Sequence, residues 1–302
     1  MGINVKIVAD SRSHYTVGDR LIPGVRLTTF QLRYPRFIHA ELMTHRVFSR
    51  NASSSRAIPV TKMLREIIED PAMPIHWGIN EKGMQANKHL VGFKLWAVKK
   101  IWRLARYPAV GAAYLAHKIG LHKQIANRIC EPWSHINVLV SSTEYANWYS
   151  LRAHKDAQPE IRALARKMKA AQDQSIPRRL MPGDWHLPFL SVFERGEMKI
   201  EQALKVSTAR CARLSYLTFD QKPSTIDQDM ALYERLVGSS PLHASPAEHQ
   251  AKVDTLSPDG FYNVKTGKVW DFMDSWNHPE LHGNFRGFIQ HRKLLKGEFV
   301  RG

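Results

Sequence analysis

The chain has 302 residues, enough for one large domain or two small ones, and an ordinary apolar share that can bury a sizeable core. Two cysteines, Cys130 and Cys211, are too few and too isolated for a disulfide scaffold or a zinc site and point to a reducing, cytoplasmic setting. The net charge of +17 and the lack of any long charge-free apolar run exclude a membrane span and call for anionic partners: nucleic acid, an anionic surface or phosphorylated small molecules. No secretory signal is read at the start, where Met1 gives way at once to a strand-like run and Asp10.

In chain order, Asn4 to Val8 and Val25 to Leu32 read as strands, β-branched and alternating. Pro35 can open a helix with Phe37, Ile38, Leu42 and Met43 on one face, followed by a serine-rich loop from Ser49 to Arg56. A helix starts near Thr61 and stops at Pro71 and Pro74. Residues 85–129 are mostly helical, with breaks expected at Pro108 and Gly120. This stretch is basic, with ten Lys and Arg and no acid from Lys82 to Cys130. It is read either as a solvated helix face or as a polyanion surface.

Ile136 to Val140 is a short strand, and a helix capped by Ser or Thr is expected between Ser141 and Glu144. That helix and the next carry Asn147, Arg152, Gln158 and Glu160. Residues 173–196 read as an irregular connector, and helices resume at about 198–216 and 226–237. The tail from Pro258 to Gly267 is turn-rich. Strands among long helices give an α+β class.

There is no glycine-rich nucleotide loop, no P-loop and no His-Glu-x-x-His. Thr44 to Arg56 holds three arginines and four serines in thirteen residues, a composition that can clamp a phosphate and equally suits a solvated turn. His45-Arg46, with Ser54 and Arg56 at their spacing beyond it, resembles the signature of the flavin-dependent thymidylate synthases. Arg128 before Pro132, and Asn147 to Arg162 with Arg152, Gln158 and Glu160, resemble two further segments of that family in order and spacing. Ala209 to Tyr216 and His243-Ala244-Ser245-Pro246-Ala247-Glu248-His249 resemble elements that precede the His-Arg motif in the family and follow it here, as in a circular permutation.

The resemblance implies long helices packed on a small, mainly antiparallel sheet, in a single catalytic domain over 1–302. A basic helical insert occupies about 62–118 and a relocated segment about 205–250. It implies methylation of dUMP to dTMP with FAD as cofactor and NADPH and methylenetetrahydrofolate as co-substrates, in a homo-oligomer, either a tetramer or a dimer. Carried over by position, Arg152 and His243 serve catalysis, and Glu41, Ser54, Arg56, Arg128 and Arg152 bind the nucleotide. Thr44, His45, Arg46, Ser141, Thr143, Asn147 and Ser245 contact FAD. No metal and no thiolate is implied. Glu41, Thr44 and Ala52, and Ser141 and Thr143, depart from the family's usual residues. Glu41 motivates a second reading, a related modification such as hydroxymethylation of another pyrimidine deoxynucleotide. A third is a nucleic-acid-binding protein on a degenerate flavoenzyme scaffold; the charge is compatible with nucleic acid and does not require it. A membrane-surface helix around Phe93 to Arg106 is a fourth.

Overall fold

A computed structural model describes residues 2–83, 86–214, 224–239, 242–257 and 276–298, with the backbone of 262–263 and 268–269. Ser215 and Tyr216 of the relocated segment, and most of the tail from Pro258 to Gly267, lie outside the described residues.

The chain opens with two long strands, β1 (Asn4–Val17) and β2 (Arg20–Pro35), joined by a tight turn in which Gly18 adopts positive φ. A 3-10 turn (Arg36–Ile38) leads into α1 (His39–Met43), and β3 (Ser49–Ala52) returns to the sheet. Helices α2 (Val60–Glu69), α3 (Gly92–Lys118) and α4 (Lys123–Ala126) follow. After β4 (His135–Ser142) come α5 (Ala146–Arg152) and α6 (Pro159–Gln174). The connector holds β5 (Arg178–Leu180) and β6 (Trp185–His186). Then α7 (Val192–Glu197), α8 (Ile200–Ala212) and α9 (Ile226–Val237) lead to β7 (Ala251–Val253). A two-stranded ribbon, β8 (Tyr262–Asn263) with β9 (Lys268–Val269), and the last strand β10 (Phe288–Gln290) complete the described elements.

The main sheet runs β3-β4-β2-β1-β5, antiparallel throughout except for the parallel β1–β5 pair; a second, antiparallel sheet runs β10-β7-β6. The class is therefore α+β. One face of the main sheet presents Phe30, Leu32, Tyr34, Ile136, Val138 and Val140 to α6. Helix α6 answers with Ile161, Leu164, Ala165 and Met168, the i, i+3, i+4, i+7 spacing that puts one apolar stripe on one side. Each large side chain buried there contributes roughly 1.5–3 kcal/mol over exposure. Helix α2 repeats the pattern with Val60, Met63, Leu64 and Ile67, which pack with Ala113 of α3, Ala126 and Cys130 in a separate cluster.

Several expectations are corrected. Pro108 does not break α3, which runs through it to Lys118. Its own packing on α2 and the indole of Trp102, which donates to the Ala72 carbonyl at 2.9 Å, hold the helix on both sides of the proline. Gly120 does end it, with φ at +105°. The helix expected from Ser141 begins at Ala146 instead, because Ser141 and Ser142 complete the pairing of β4 with β2. Half of the expected serine-rich loop is β3, whose Ser49 pairs with Ser141. Of the four apolar residues expected on one helical face, Ile38 and Leu42 are buried while Phe37 and Met43 are exposed. Phe37 turns its ring edge-on to Trp102 of α3 at 6.4 Å. The connector, expected to be irregular, carries two short strands that extend both sheets.

Candidate functional site

The C-terminal end of α1 meets the C-terminal end of α5. Arg50 fixes the first by donating to the carbonyls of Met43 at 2.7 Å and His45 at 3.3 Å, a side chain substituting for the missing next turn. Trp148, fully buried one turn before Arg152, fixes the second. His45 sits between them, stacked on Phe48 at 5.7 Å and edge-on to Trp148 at 4.7 Å.

Arg152 is the convergence point. Its Nε donates to His45 Nε2 at 3.2 Å and its Nη2 to Thr44 Oγ1 at 3.2 Å, and Nη1 lies 3.6 Å from a Glu41 carboxylate oxygen. Burial lowers the His45 pKa, and the nearby Arg152 and Arg50 charges lower it further. A neutral imidazole accepts from the guanidinium where an imidazolium would repel it, so His45 orients Arg152 without competing for an anion. Four of the predicted site residues are thus brought together.

Arg152 and Glu41 open on a cleft of about 980 Å³. Helix α6 and the segment before it contribute Lys155, Gln158, Glu160 and Arg162, and the basic insert contributes His76, His89 and Trp102. The insert is pinned there by Glu160, whose carboxylate accepts from the Ile75 backbone N–H at 2.5 Å and from Gln158. The rings of His76 and His89 lie 3.8 Å apart, and His76 is held by the Ala86 carbonyl at 2.8 Å. Sequence reasoning missed His76, His89 and Trp102: they come from the unmatched insert, and lone histidines and a helical tryptophan carry no spacing signal.

Ser54 and Arg56 lie on a loop that is tied to the residue before Arg128. Asn127 ties the loop beside Arg128 by donating to the carbonyls of Ser55 at 2.8 Å and Ile58 at 2.9 Å. Arg56 and Arg128 are both exposed, which leaves two guanidinium groups on the surface next to this anchored turn.

The residues expected around the cofactor separate into two groups. Thr44, Arg46, Asn147, Ser245 and His243 are exposed, and the Thr143 hydroxyl accepts from the Arg286 backbone N–H at 3.2 Å. Ser141 is fully buried on the opposite face of the sheet, and its hydroxyl is spoken for on both sides, by Thr29 Oγ1 at 2.6 Å and His249 Nδ1 at 2.8 Å. That pair belongs to a row of buried polar groups. Thr29 also meets His186 Nε2 at 2.8 Å, and His186 Nδ1 meets Ser11 Oγ at 2.9 Å. Ser49, next in register to Ser141, accepts from Gln290 at 3.0 Å. The 243–249 loop is seated on the main sheet through His249, and Asn51 of β3 donates to the Cys211 carbonyl of α8 at 2.9 Å. His243 and Ser245 themselves face outward. Burial pushes the Cys130 thiol up to about 11 and Cys211 higher still, so neither supplies a thiolate.

Among the described residues no group of three metal-ligating side chains is present, and no helix is long and apolar enough to cross a membrane. The sequence matches no protein-family model and no curated protein. Among solved structures the chain is similar to the UMP/dUMP methylase PolB from Streptomyces cacaoi in two complexes. The complex with 5-Br dUMP shares 18% identity over 57% of this chain and 90% of that chain, with a TM-score of 0.44. The complex with 5-Br UMP shares 17% over 57% and 89%, also at 0.44.

Proposed function

We propose that the chain is an enzyme that modifies a pyrimidine deoxynucleotide, with methylation of dUMP to dTMP as the leading reading. The observation that carries it is the grouping of Arg152, His45, Thr44 and Glu41 at the rim of a cleft with aromatic and cationic walls, of a size that suits a nucleotide. Arg152 would hold the pyrimidine edge and favour negative charge on the ring by charge-assisted hydrogen bonds. Phe37 and Trp102 offer flat apolar contact to a base, and Lys155 and Arg162 offer cations to its phosphate. Ser54, Arg56 and Arg128 would hold a second anionic group.

FAD fits this chain in part. Thr44, Arg46, Asn147, His243 and Ser245 are exposed donors and acceptors suited to its phosphates and hydroxyls, whereas Ser141 is closed off by its buried partners. When bound, FAD supplies reducing equivalents for transfer of a one-carbon unit from methylenetetrahydrofolate, with NADPH restoring it. The outward face of His243 and Ser245 suits completion of the site by a neighbouring copy in a homo-oligomer.

One observation favours the second reading, a related modification of a cytosine nucleotide. Glu41 beside Arg152 places an acceptor next to a donor, which matches the N4 amino group and the adjacent N3 acceptor of cytosine, whereas a carboxylate has nothing to donate to the O4 carbonyl of uracil. The test is direct: the purified full chain is examined for flavin absorbance and offered dUMP or dCMP with methylenetetrahydrofolate and NADPH. A yellow protein that forms dTMP from dUMP supports the leading reading, and turnover of dCMP alone supports the second. A protein that neither carries nor binds FAD, and turns over neither nucleotide, removes both.

A further inference from the structure

Helix α3 has two unlike sides. Inward, Ala113 packs on α2, and Arg106 is buried with its guanidinium donating to the Tyr107 hydroxyl at 3.0 Å. Outward, Phe93, Leu104 and Leu115 recur every eleven residues, close to three full turns, so they fall in one line along a helix of about 40 Å. They are 78%, 59% and 61% exposed, and Trp96 and Ile101 flank them at 56% and 63%. An apolar line of this length is more than scattered surface hydrophobics.

Cations border it. Lys94, Lys100, Arg103 and Lys118 are exposed, and no carboxylate occurs between Lys82 and Cys130. The Lys100 ammonium lies over the Trp96 ring at 5.8 Å and that of Lys118 over Tyr114 at 5.4 Å, so their stems run along apolar surface and their charged heads can reach past it. Phe93 and Trp96 stack at 5.5 Å.

Three occupants can be weighed against this combination. Nucleic acid would answer the cations and leave the leucine and isoleucine stripe unmatched. A second copy of the chain would cover the stripe and set lysines against lysines. An anionic lipid surface answers both at once, with the stripe at the acyl boundary and the cations among the headgroups. We propose that α3 is a peripheral docking helix that lies in the plane of an anionic membrane surface, with the Trp102 side of the same helix facing the cleft.

Flotation of the full-length protein with vesicles tests this. Binding is expected with phosphatidylcholine containing phosphatidylserine and not with phosphatidylcholine alone, weakening as salt rises. The pair Leu104→Glu and Leu115→Glu should abolish binding with an unchanged melting temperature, since both side chains are exposed. Should that pair fail to fold, Lys94→Gln with Lys100→Gln serves instead, each lowering partition by about fivefold. Absence of flotation overturns the proposal, as does flotation indifferent to these substitutions. So does a wild-type dimer in light scattering that Leu104→Glu splits while vesicle binding is absent, or salt-sensitive nucleic-acid binding without lipid binding.

Discussion

At the scale of single residues, the proposed chemistry depends on how Arg152 is held. Its three nitrogens are divided among a neutral ring, a hydroxyl and a nearby carboxylate, so the side chain is oriented before any ligand arrives. Arg152→Ala should leave the fold intact, because the side chain is partly exposed, and should reduce nucleotide turnover by about 100- to 1,000-fold. Steady-state kinetics beside a thermal melt would check it, and near-native turnover would take Arg152 out of the mechanism. Glu41→Gln replaces an acceptor-only group with an amide that can also donate. If the carboxylate reads a cytosine amino group, kcat/KM for dCMP should drop by about tenfold or more while that for dUMP holds or rises. An equal loss for both substrates would show that Glu41 only positions Arg152.

At the scale of elements, the chain was legible where a segment's own pattern decides its fate. The strand runs at Asn4, Val25 and Ile136 and the helix starts at Thr61 and Ile226 follow from alternation, apolar stripes and caps. Pattern failed where a partner overruled local signals. Serines at 49, 141 and 142 look like loop and cap residues, yet pairing and buried hydroxyl contacts make them strand. The grouping at Arg152 was legible through motif spacing; the insert wall of the cleft was not, since its residues come together only once α3 is pinned by Trp102. Ser141→Ala tests the reassigned serine. It leaves the His249 Nδ1 atom without its partner in a buried row and takes one of the two partners of the Thr29 hydroxyl, which should destabilise the protein by about 1–3 kcal/mol. FAD affinity should be unchanged; a loss of affinity at full stability would return Ser141 to the cofactor.

At the scale of the whole molecule, the buried histidines set an acid limit on the fold. Burial alone holds His249 at about 3 and His291 at about 4, and burial followed by the Arg195 and Arg178 charges holds His186 well below its usual value. Geometry agrees with neutral rings. His186 and His249 are bonded to hydroxyls, and neither nitrogen of His291 meets a protein partner among the described residues. In the unfolded chain these rings protonate near pH 6.5. Between that value and the depressed native ones the unfolded state binds more protons, so stability is complete above about pH 6.5 and is lost as the pH falls toward 4. His249 and His291 each account for about 2 kcal/mol between pH 7 and pH 5, and His186 acts in the same direction. The Asp254 carboxyl, drawn down to about 2 by His282 and His278 against its burial, acts only below pH 4 and does not alter this window. Melting temperature should therefore fall steeply from pH 7 to pH 5. His291→Phe keeps an aromatic ring against Trp185 and surrenders no hydrogen bond, so it should recover about 2 kcal/mol at pH 5 and change little at pH 7.5. Denaturant titrations of both proteins at the two pH values would measure this. A melting temperature flat across the range, or a variant that tracks the parent at pH 5, would show that these rings take up protons without leaving the native fold.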